Sequence, residues 1–475
     1  MILVVPRRSR TKAWVFLVLL LLVAVVGALS YLGWRQTVPG VQVVAEVPRF
    51  LGHTTAFTVT LEAARGHLRR SEVRVVQGDM PLTVATVEGA RTARVQLPVT
   101  IDSAALGLKE GGATLEVRGG DDFWRPLGTK DTALLSRPVT VDLTPPRVEV
   151  LSSTRYVSPG GAVMIAFRAA DAARIDVSVG PRVFPSFPYG PPEKGARVAL
   201  IALPYDFAPG TPLTVTARDE AGNVATRTVP AELKPRPFPR DTIAISEAFL
   251  QAKVPELLPQ RPPSQSLIEG FLVINRDQRR QAEEEKLKIG AKTADRPLWE
   301  GAFVQPRNTK VFSNFAETRT YLYQGRTVDT QVHVGFDLAS TKQSPVPAAN
   351  AGRVAFAGPL TIYGNTVILD HGLGLQTLYA HLSSIAVNTG DAVTRGQELG
   401  RSGTTGLAVG DHLHFEVLVS GVSVTPIEWW DGKWIRDRVN KPLKDAGLPE
   451  IAGVGAVPAE PASRSGAPPR PARRR

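Results

Sequence analysis

The sequence contains no cysteine, which excludes disulfide scaffolds, thiolate zinc sites and cysteine nucleophiles together. Histidine is scarce, seven in 475 residues, so any clustering of it carries information. Charge of one sign is also missing from the body of the chain. Of the formal net charge of +12, Arg7, Arg8, Arg10 and Lys12 supply +4, and residues 451–475 supply another +4 from five arginines against Glu460. The remaining +4 is spread over 438 residues, too little for a nucleic-acid-binding body. What is abundant is proline (39) and glycine (42), beside 43% hydrophobic and 21% charged residues. That composition buries real cores, excludes wholesale disorder, and points to turn-rich β structure rather than helical bundles. At roughly 100 to 200 residues per domain, the length implies about three compact units.

One long hydrophobic run stands out. From Ala13 to Trp34 no charge interrupts a stretch dominated by Leu, Val and Ala, and about 20 such residues span a bilayer as a helix. Four basic residues (within 1–12) precede it against Arg35 alone just after, which places the N-terminus in the cytoplasm; Trp14, Tyr31 and Trp34 sit where aromatic anchors belong. The reading is a single-pass anchor over 13–34 with everything after Arg35 outside. The alternative, a signal peptide cut near Val26-Gly27-Ala28, must accommodate an apolar run longer than the usual ~7 to 15 residues.

Beyond residue 38 apolar residues alternate: Val41, Val43, Ala45 and Val47; Phe57, Val59 and Leu61; Val73 and Val75; Val95, Leu97 and Val99; Leu115 and Val117. This period predicts half-buried strands of a β-sandwich over 38–143. The pattern restarts at Thr144-Pro145-Pro146 and runs through Val148, Val163, Ile165, Phe167, Val177 and Val215 to a turn at Asp219-Glu220-Ala221-Gly222-Asn223. That opening and closing resemble bacterial immunoglobulin-like modules over 144–230. Both modules read as spacers, and His53 and His67 as ordinary surface or packed histidines. Residues 231–298 carry proline clusters and the charged stretch Arg276–Leu287, with Glu283 and Glu284 placed to pair with Lys286 and Lys288; a connector with a solvated helix is expected, the alternative being a segment packed over the next domain. From about 440 to 475 a Pro, Ala, Gly and Arg-rich tail is expected to be disordered.

Five of the seven histidines, His333, His371, His381, His412 and His414, fall between 333 and 414. Such clustering asks for metal or acid/base chemistry. His333 and Asp337 stand four apart around Gly335. In Asp411-His412-Leu413-His414-Phe415-Glu416-Val417, period two puts the apolar residues on one strand face and His412, His414 and Glu416 on the other. Two imidazoles and a carboxylate are the open three-ligand set that zinc hydrolases use, with a further histidine left for proton handling. Which of His412 and His414 would be the ligand is open on this reasoning. His381 ends the alternating Leu375, Thr377 and Tyr379, a position for a second acid/base group; His371 sits in a turn and reads as surface or structural.

His333-x-Gly335-x-Asp337, the strand around Gly364-Asn365 followed by His371-Gly372, Tyr379-Ala380-His381-Leu382, Gly390-Asp391-x-Val393, and Gly403-Thr404-Thr405-Gly406 leading to His412-Leu413-His414-Phe415-Glu416 together resemble the lysostaphin/LytM-type zinc metallopeptidases. The resemblance implies a mostly antiparallel β domain over 299–435 that cuts peptide cross-links of peptidoglycan. It implies that His333, Asp337 and His414 bind Zn2+ and that His381 and His412 flank the water position. One departure is Ser313-Asn314-Phe315-Ala316, where many relatives have a glycine after the Phe. The expected protein is therefore mainly β: an N-terminal transmembrane helix, two sandwich modules, a connector with a helix, and a C-terminal peptidase domain. Its expected place is the inner membrane facing the periplasm, with peptidoglycan as substrate, no nucleic acid, and the sandwiches as candidate surfaces for envelope or division partners. A noncatalytic activator of another wall hydrolase is the alternative, disfavoured by the intact five-residue set.

Overall fold

The computed structural model describes residues 10–88, 91–128 and 133–453. The chain is mainly β and divides into two compact units, one within residues 1–145 and 218–224, the other within 146–217 and 225–475. The basic residues before Arg10 and the last part of the tail, 454–475, lie outside the described residues.

The first unit opens with the helix α1 (Arg10–Thr37), whose Thr11–Thr37 stretch contains an 18-residue window of mean hydropathy 2.9 and is long and apolar enough to cross a membrane. Its C-terminal end is fixed by Arg35, whose guanidinium lies 4.3 Å from the Phe123 ring centre and 5.1 Å from that of Trp124. A three-stranded sheet (Val41–Ala45, Thr54–Ala63, Arg94–Asp102) and a five-stranded sheet (Phe50–Leu51, Leu135–Val141, Gly111–Arg118, Ser71–Gln77, Met80–Val87) follow. The period-two pattern works as expected: Val59, Leu61, Val99 and Ile101 of one sheet and Val73, Val75, Leu115 and Val117 of the other form one buried core. The strands Met80–Val87 and Leu135–Val141 escaped the pattern because Pro81 and Pro138 interrupt it.

The second unit begins with two four-stranded sheets, one holding Arg147–Ser153, Ala162–Ala170 and Ala196–Ala202, the other Arg174–Val179 and Leu213–Arg218. Ala162 to Phe167 are buried without alternation, because this strand is covered on both faces. The Ala162 amide donates to the Glu428 carboxylate (3.1 Å), the Thr425 amide to the Gly160 carbonyl (2.7 Å), and the Thr154 hydroxyl to the Arg438 carbonyl (2.6 Å). One continuous core therefore runs from Val163 and Leu200 to Phe415 and Trp429.

Residues 231–298 are not a free connector, the leading expectation; as in the alternative reading, they form a layer packed on the next sheet. Strand β1 (Arg240–Ala244) is followed by helices α2 (Glu247–Leu257), α3 (Leu267–Val273) and α4 (Arg279–Gly290), the last two joined by a wide helical turn over Ile274–Gln278. A capping box of Ser266 and Glu269 starts α3. Leu250, Val254, Phe271 and Ile274 are buried against Ile368, Leu378 and Leu418. The charged α4 is not fully solvated either, since Ala282, Lys286 and Gly290 are buried along one stripe.

The largest sheet comprises β2 (Lys310–Ser313), β5 (Phe336–Ala339), β6 (Gly352–Pro359), β7 (Asn365–Gly372), β8 (Leu375–Leu382) and β9 (Leu413–Val419), in the order β2-β5-β9-β8-β7-β6, with Ala392–Val393 beyond β6 and β10 (Val422–Val424) paired to β9. All of its pairings are antiparallel. A separate antiparallel hairpin, β3 (Glu317–Tyr323) and β4 (Arg326–His333), carries β1 in parallel on its edge. Leu413, Phe415, Val417 and Val419 face the aromatic core, as the alternation of β9 predicts, while Leu418 faces the helices. The stretch just after 440 is folded rather than part of a tail: Lys441–Asp445 is helical, Leu443, Leu448 and Ile451 are buried, and the Asn440 side-chain amide exchanges hydrogen bonds of 2.9 and 3.0 Å with the Ile451 backbone.

Candidate metal centre

His333 is the last residue of β4, Asp337 lies in β5, and His414 stands directly opposite Asp337 in the β5–β9 ladder. Three side-chain atoms converge: His333 Nε2 is 2.9 Å from His414 Nδ1 and 3.0 Å from Asp337 Oδ1, and His414 Nδ1 is 2.9 Å from the same oxygen. All three residues are buried. Gly335 makes the approach possible, since a Cβ there would come within 2.7 Å of the His414 ring.

The outer contacts decide which ring atoms carry hydrogen. His333 Nδ1 faces the Asn314 carbonyl at 2.9 Å, an acceptor only, so Nδ1 donates and Nε2 keeps its lone pair. His414 Nε2 faces Glu416 Oε1 at 2.9 Å, so Nδ1 is its free lone pair. Arg319 donates to Asp337 Oδ2 at 2.8 Å, leaving Oδ1 turned inward. Two lone pairs and one carboxylate oxygen thus point at a single centre with their orientation fixed from behind, the arrangement a tetrahedral zinc site requires. Burial of Asp337 would raise its pKa, but His333 and the other imidazoles outweigh this and hold it well below the usual carboxylate range. Burial lowers the pKa of His333.

His381 and His412 flank this centre. His381 is the penultimate residue of β8 and has φ +62°, a left-handed conformation that a residue with a side chain adopts at a cost. Its Nδ1 donates to the Thr405 carbonyl at 2.8 Å, and His412 Nδ1 donates to the Gly410 carbonyl at 2.7 Å. Both Nε2 atoms are left without those anchors, and His412 Nε2 lies 3.5 Å from Asp337 Oδ1. The two rings stand 4.8 Å apart. Burial, then His412 and His414, pushes the pKa of His381 well below the usual imidazole value. All five residues line one cavity of about 470 Å3 that also includes Phe312, Tyr363 and Arg279.

Residues 331–426 match the profile of peptidase family M23. This stretch is an M23 peptidase domain. Over 97 residues the chain is 39% identical to the DD-carboxypeptidase/endopeptidase Mpg of Neisseria meningitidis serogroup B, covering 20% of this chain and 22% of that protein. Over 119 residues it is 36% identical to the peptidoglycan DD-endopeptidase ShyA of Vibrio cholerae, covering 25% and 27%. The catalytic domain of lysostaphin from Staphylococcus simulans aligns at 29% identity, with 26% of this chain and 92% of that one covered, at a TM-score of 0.23. The chain spans about a quarter of the curated relatives it matches.

Sequence reasoning missed the layer behind His414, part of which comes from helix α4, ahead of the M23 stretch. Glu416 Oε2 accepts from Ser423 (2.6 Å) and from Lys286 Nζ (2.9 Å), and the same ammonium reaches Glu283 (2.8 Å) and the Tyr363 hydroxyl (3.0 Å). Lys286 is fully buried; burial works against its charge, but Glu283 and Glu416 raise its pKa above the ordinary value. Glu284 and Lys288 instead pair with Arg280 and Glu285. His371 is structural, as one of its two expected readings had it: buried, with Nδ1 donating to the Ala351 carbonyl (2.7 Å) and Nε2 2.8 Å from the Thr377 hydroxyl. In the first unit, His53 is exposed and His67 pairs with Asp122 at the surface. Ala316 adopts φ +58°, the conformation the glycine of many relatives would take without strain.

Proposed function

We propose that the protein is a membrane-anchored, zinc-dependent peptidoglycan endopeptidase that hydrolyses peptide cross-links, by preference the D-Ala to diaminopimelate bond. The observation that carries this is the convergence of His333 Nε2, Asp337 Oδ1 and His414 Nδ1 within 3.0 Å of one another, each held from behind. The two curated relatives are endopeptidases by name, which supports the reaction and the wall substrate. Zinc held by these three residues would supply Lewis acidity and would lower the pKa of a water there to about 7. His381 and His412 offer Nε2 to the cavity: a neutral imidazole there accepts a proton from the attacking water, and a protonated one donates to the oxyanion or the leaving amine. Burial, with His412 and His414 beside it, keeps His381 neutral at neutral pH, the form that can accept a proton.

The helix α1 supports an inner-membrane anchor with the body in the periplasm, and the two sandwiches, read as immunoglobulin-like spacers, suit reach towards the wall. The expected domain scheme is kept with two amendments, that 231–298 belongs with the peptidase domain and that 440–451 packs with it rather than joining the tail. Two measurements test the proposal. Full-length protein should release monomers from cross-linked muropeptide dimers and lose this with a chelator; intact dimers combined with stimulation of a separate amidase would establish the activator reading instead. In metal analysis, His414→Ala should lose zinc, whereas His381→Ala and His412→Ala should keep it and lose activity; a full equivalent of zinc in His414→Ala sinks the ligand assignment.

A further inference from the structure

Arg279, the first residue of α4, lines the same cavity as the five candidate site residues but lies outside the M23 stretch. Its guanidinium is half-buried and docked on Asn275: Nε donates to the Asn275 carbonyl (3.2 Å) and Nη2 to Asn275 Oδ1 (2.8 Å). Asn275 is itself fully buried and pinned by its Nδ2 to Asp329 Oδ2 at 2.8 Å. The charge of Asp329 is already matched by Arg276 at 2.9 Å. Among the described residues no carboxylate lies within ion-pair distance of Arg279, and its Nη1 has no partner.

The other charged groups of the cavity are engaged or exposed. Arg319 is paired with Glu317 and Asp337, Asp411 accepts from the Ser402 hydroxyl and the Gln343 amide, and Asp241 is exposed on β1. A guanidinium held in place in a cavity that Ile243, Ile362 and Leu407 also line, with no carboxylate of the described residues within ion-pair distance, is an incomplete ion pair. Its planar fork matches a carboxylate.

We infer that Arg279 forms a carboxylate subsite that reads the free carboxylate beside the scissile amide. In a direct D-alanyl–diaminopimelate cross-link the leaving amine sits on a carbon that also bears a carboxylate; a lysine side chain or a glycine bridge presents none at that carbon. Arg279 therefore selects the diaminopimelate bond, an inference that rests on the endopeptidase reading and gives its bond preference a residue.

The test uses two muropeptide dimers, one with that carboxylate free and one with it amidated, and full-length protein. In the His381→Ala background, calorimetry should show the free-acid dimer bound about 10- to 100-fold more tightly than the amide, as one charge-assisted pair provides. Arg279→Gln should bring that ratio near one, and Arg279→Lys should retain part of it. In the active protein kcat/KM should discriminate in the same way. Cleavage of both dimers at equal rates, or discrimination that survives Arg279→Gln, overturns the subsite and leaves the endopeptidase reading standing. Carboxylate-dependent binding without cleavage by the wild-type protein overturns the endopeptidase reading and leaves the subsite standing.

Discussion

A methyl group at Gly335 would come 2.7 Å from His414 Cε1, His414 Nε2 and the Phe415 carbonyl, and none of these is the free end of a flexible chain. Gly335→Ala should therefore displace the His414 ring and weaken metal binding at least about 10-fold, the usual scale for misoriented ligands, read by competition with a chelating dye. Unchanged affinity would show that the ring yields. His371 gives a second prediction, for stability. Its burial lowers its pKa to about 4 from an ordinary 6.5, so between those values the unfolded chain takes up a proton that the folded chain refuses. Its stabilising contribution is complete above about pH 6.5 and falls as the pH drops towards 4, by about 3 kcal/mol over the window. The melting temperature of His371→Gln should accordingly fall less between pH 7 and pH 5 than that of the wild type; parallel losses would remove His371 as the cause. At this scale the site was legible, because histidine is rare and five of seven residues fall in one stretch. The sequence did not show that His371 points into the core, since a turn glycine follows a buried histidine as readily as an exposed one.

Helix α4 carries a lysine, Lys286, into the core, and nothing in the local Glu-Lys pattern distinguishes it from the exposed Lys288. Its partner Glu416 is 130 residues away in the chain, so the pair exists only after the helix docks. A signal was present: Ala282, Lys286 and Gly290 recur every four residues, a narrow stripe with small residues on either side of the lysine. Lys286→Met should cost about 3–5 kcal/mol by leaving Glu416 buried without its cation. It should also weaken zinc binding about 10- to 100-fold, because Glu416 orients His414. Combining it with Glu416→Gln should restore most of the stability but not the metal affinity; recovery of both would mean that the carboxylate has no part in holding the ring. The same dependence on distant partners hides the full burial of Ala162–Phe167 from a period-two pattern. Val163, Ile165 and Phe167 follow that pattern, whereas Met164 and Ala166 face a covering layer contributed from elsewhere in the chain.

For the whole molecule, α1 leads to one expected result. Full-length protein should stay with membranes through alkaline carbonate extraction, and deletion of residues 1–37 should release it; retention after the deletion would locate the membrane attachment elsewhere. The core shared by the 162–202 strands and the peptidase sheet has a different consequence, for how the protein can be taken apart. The stretch that matches the M23 family is not a transferable cassette. A fragment starting at residue 299 would lose Lys286 behind Glu416, Arg279 in the cavity, and the strands whose backbone Glu428 and Thr425 engage. Such a fragment should aggregate or bind zinc poorly, whereas one starting at residue 146 should be soluble and active. Any graft of this catalytic segment onto another scaffold must therefore bring some 150 preceding residues with it.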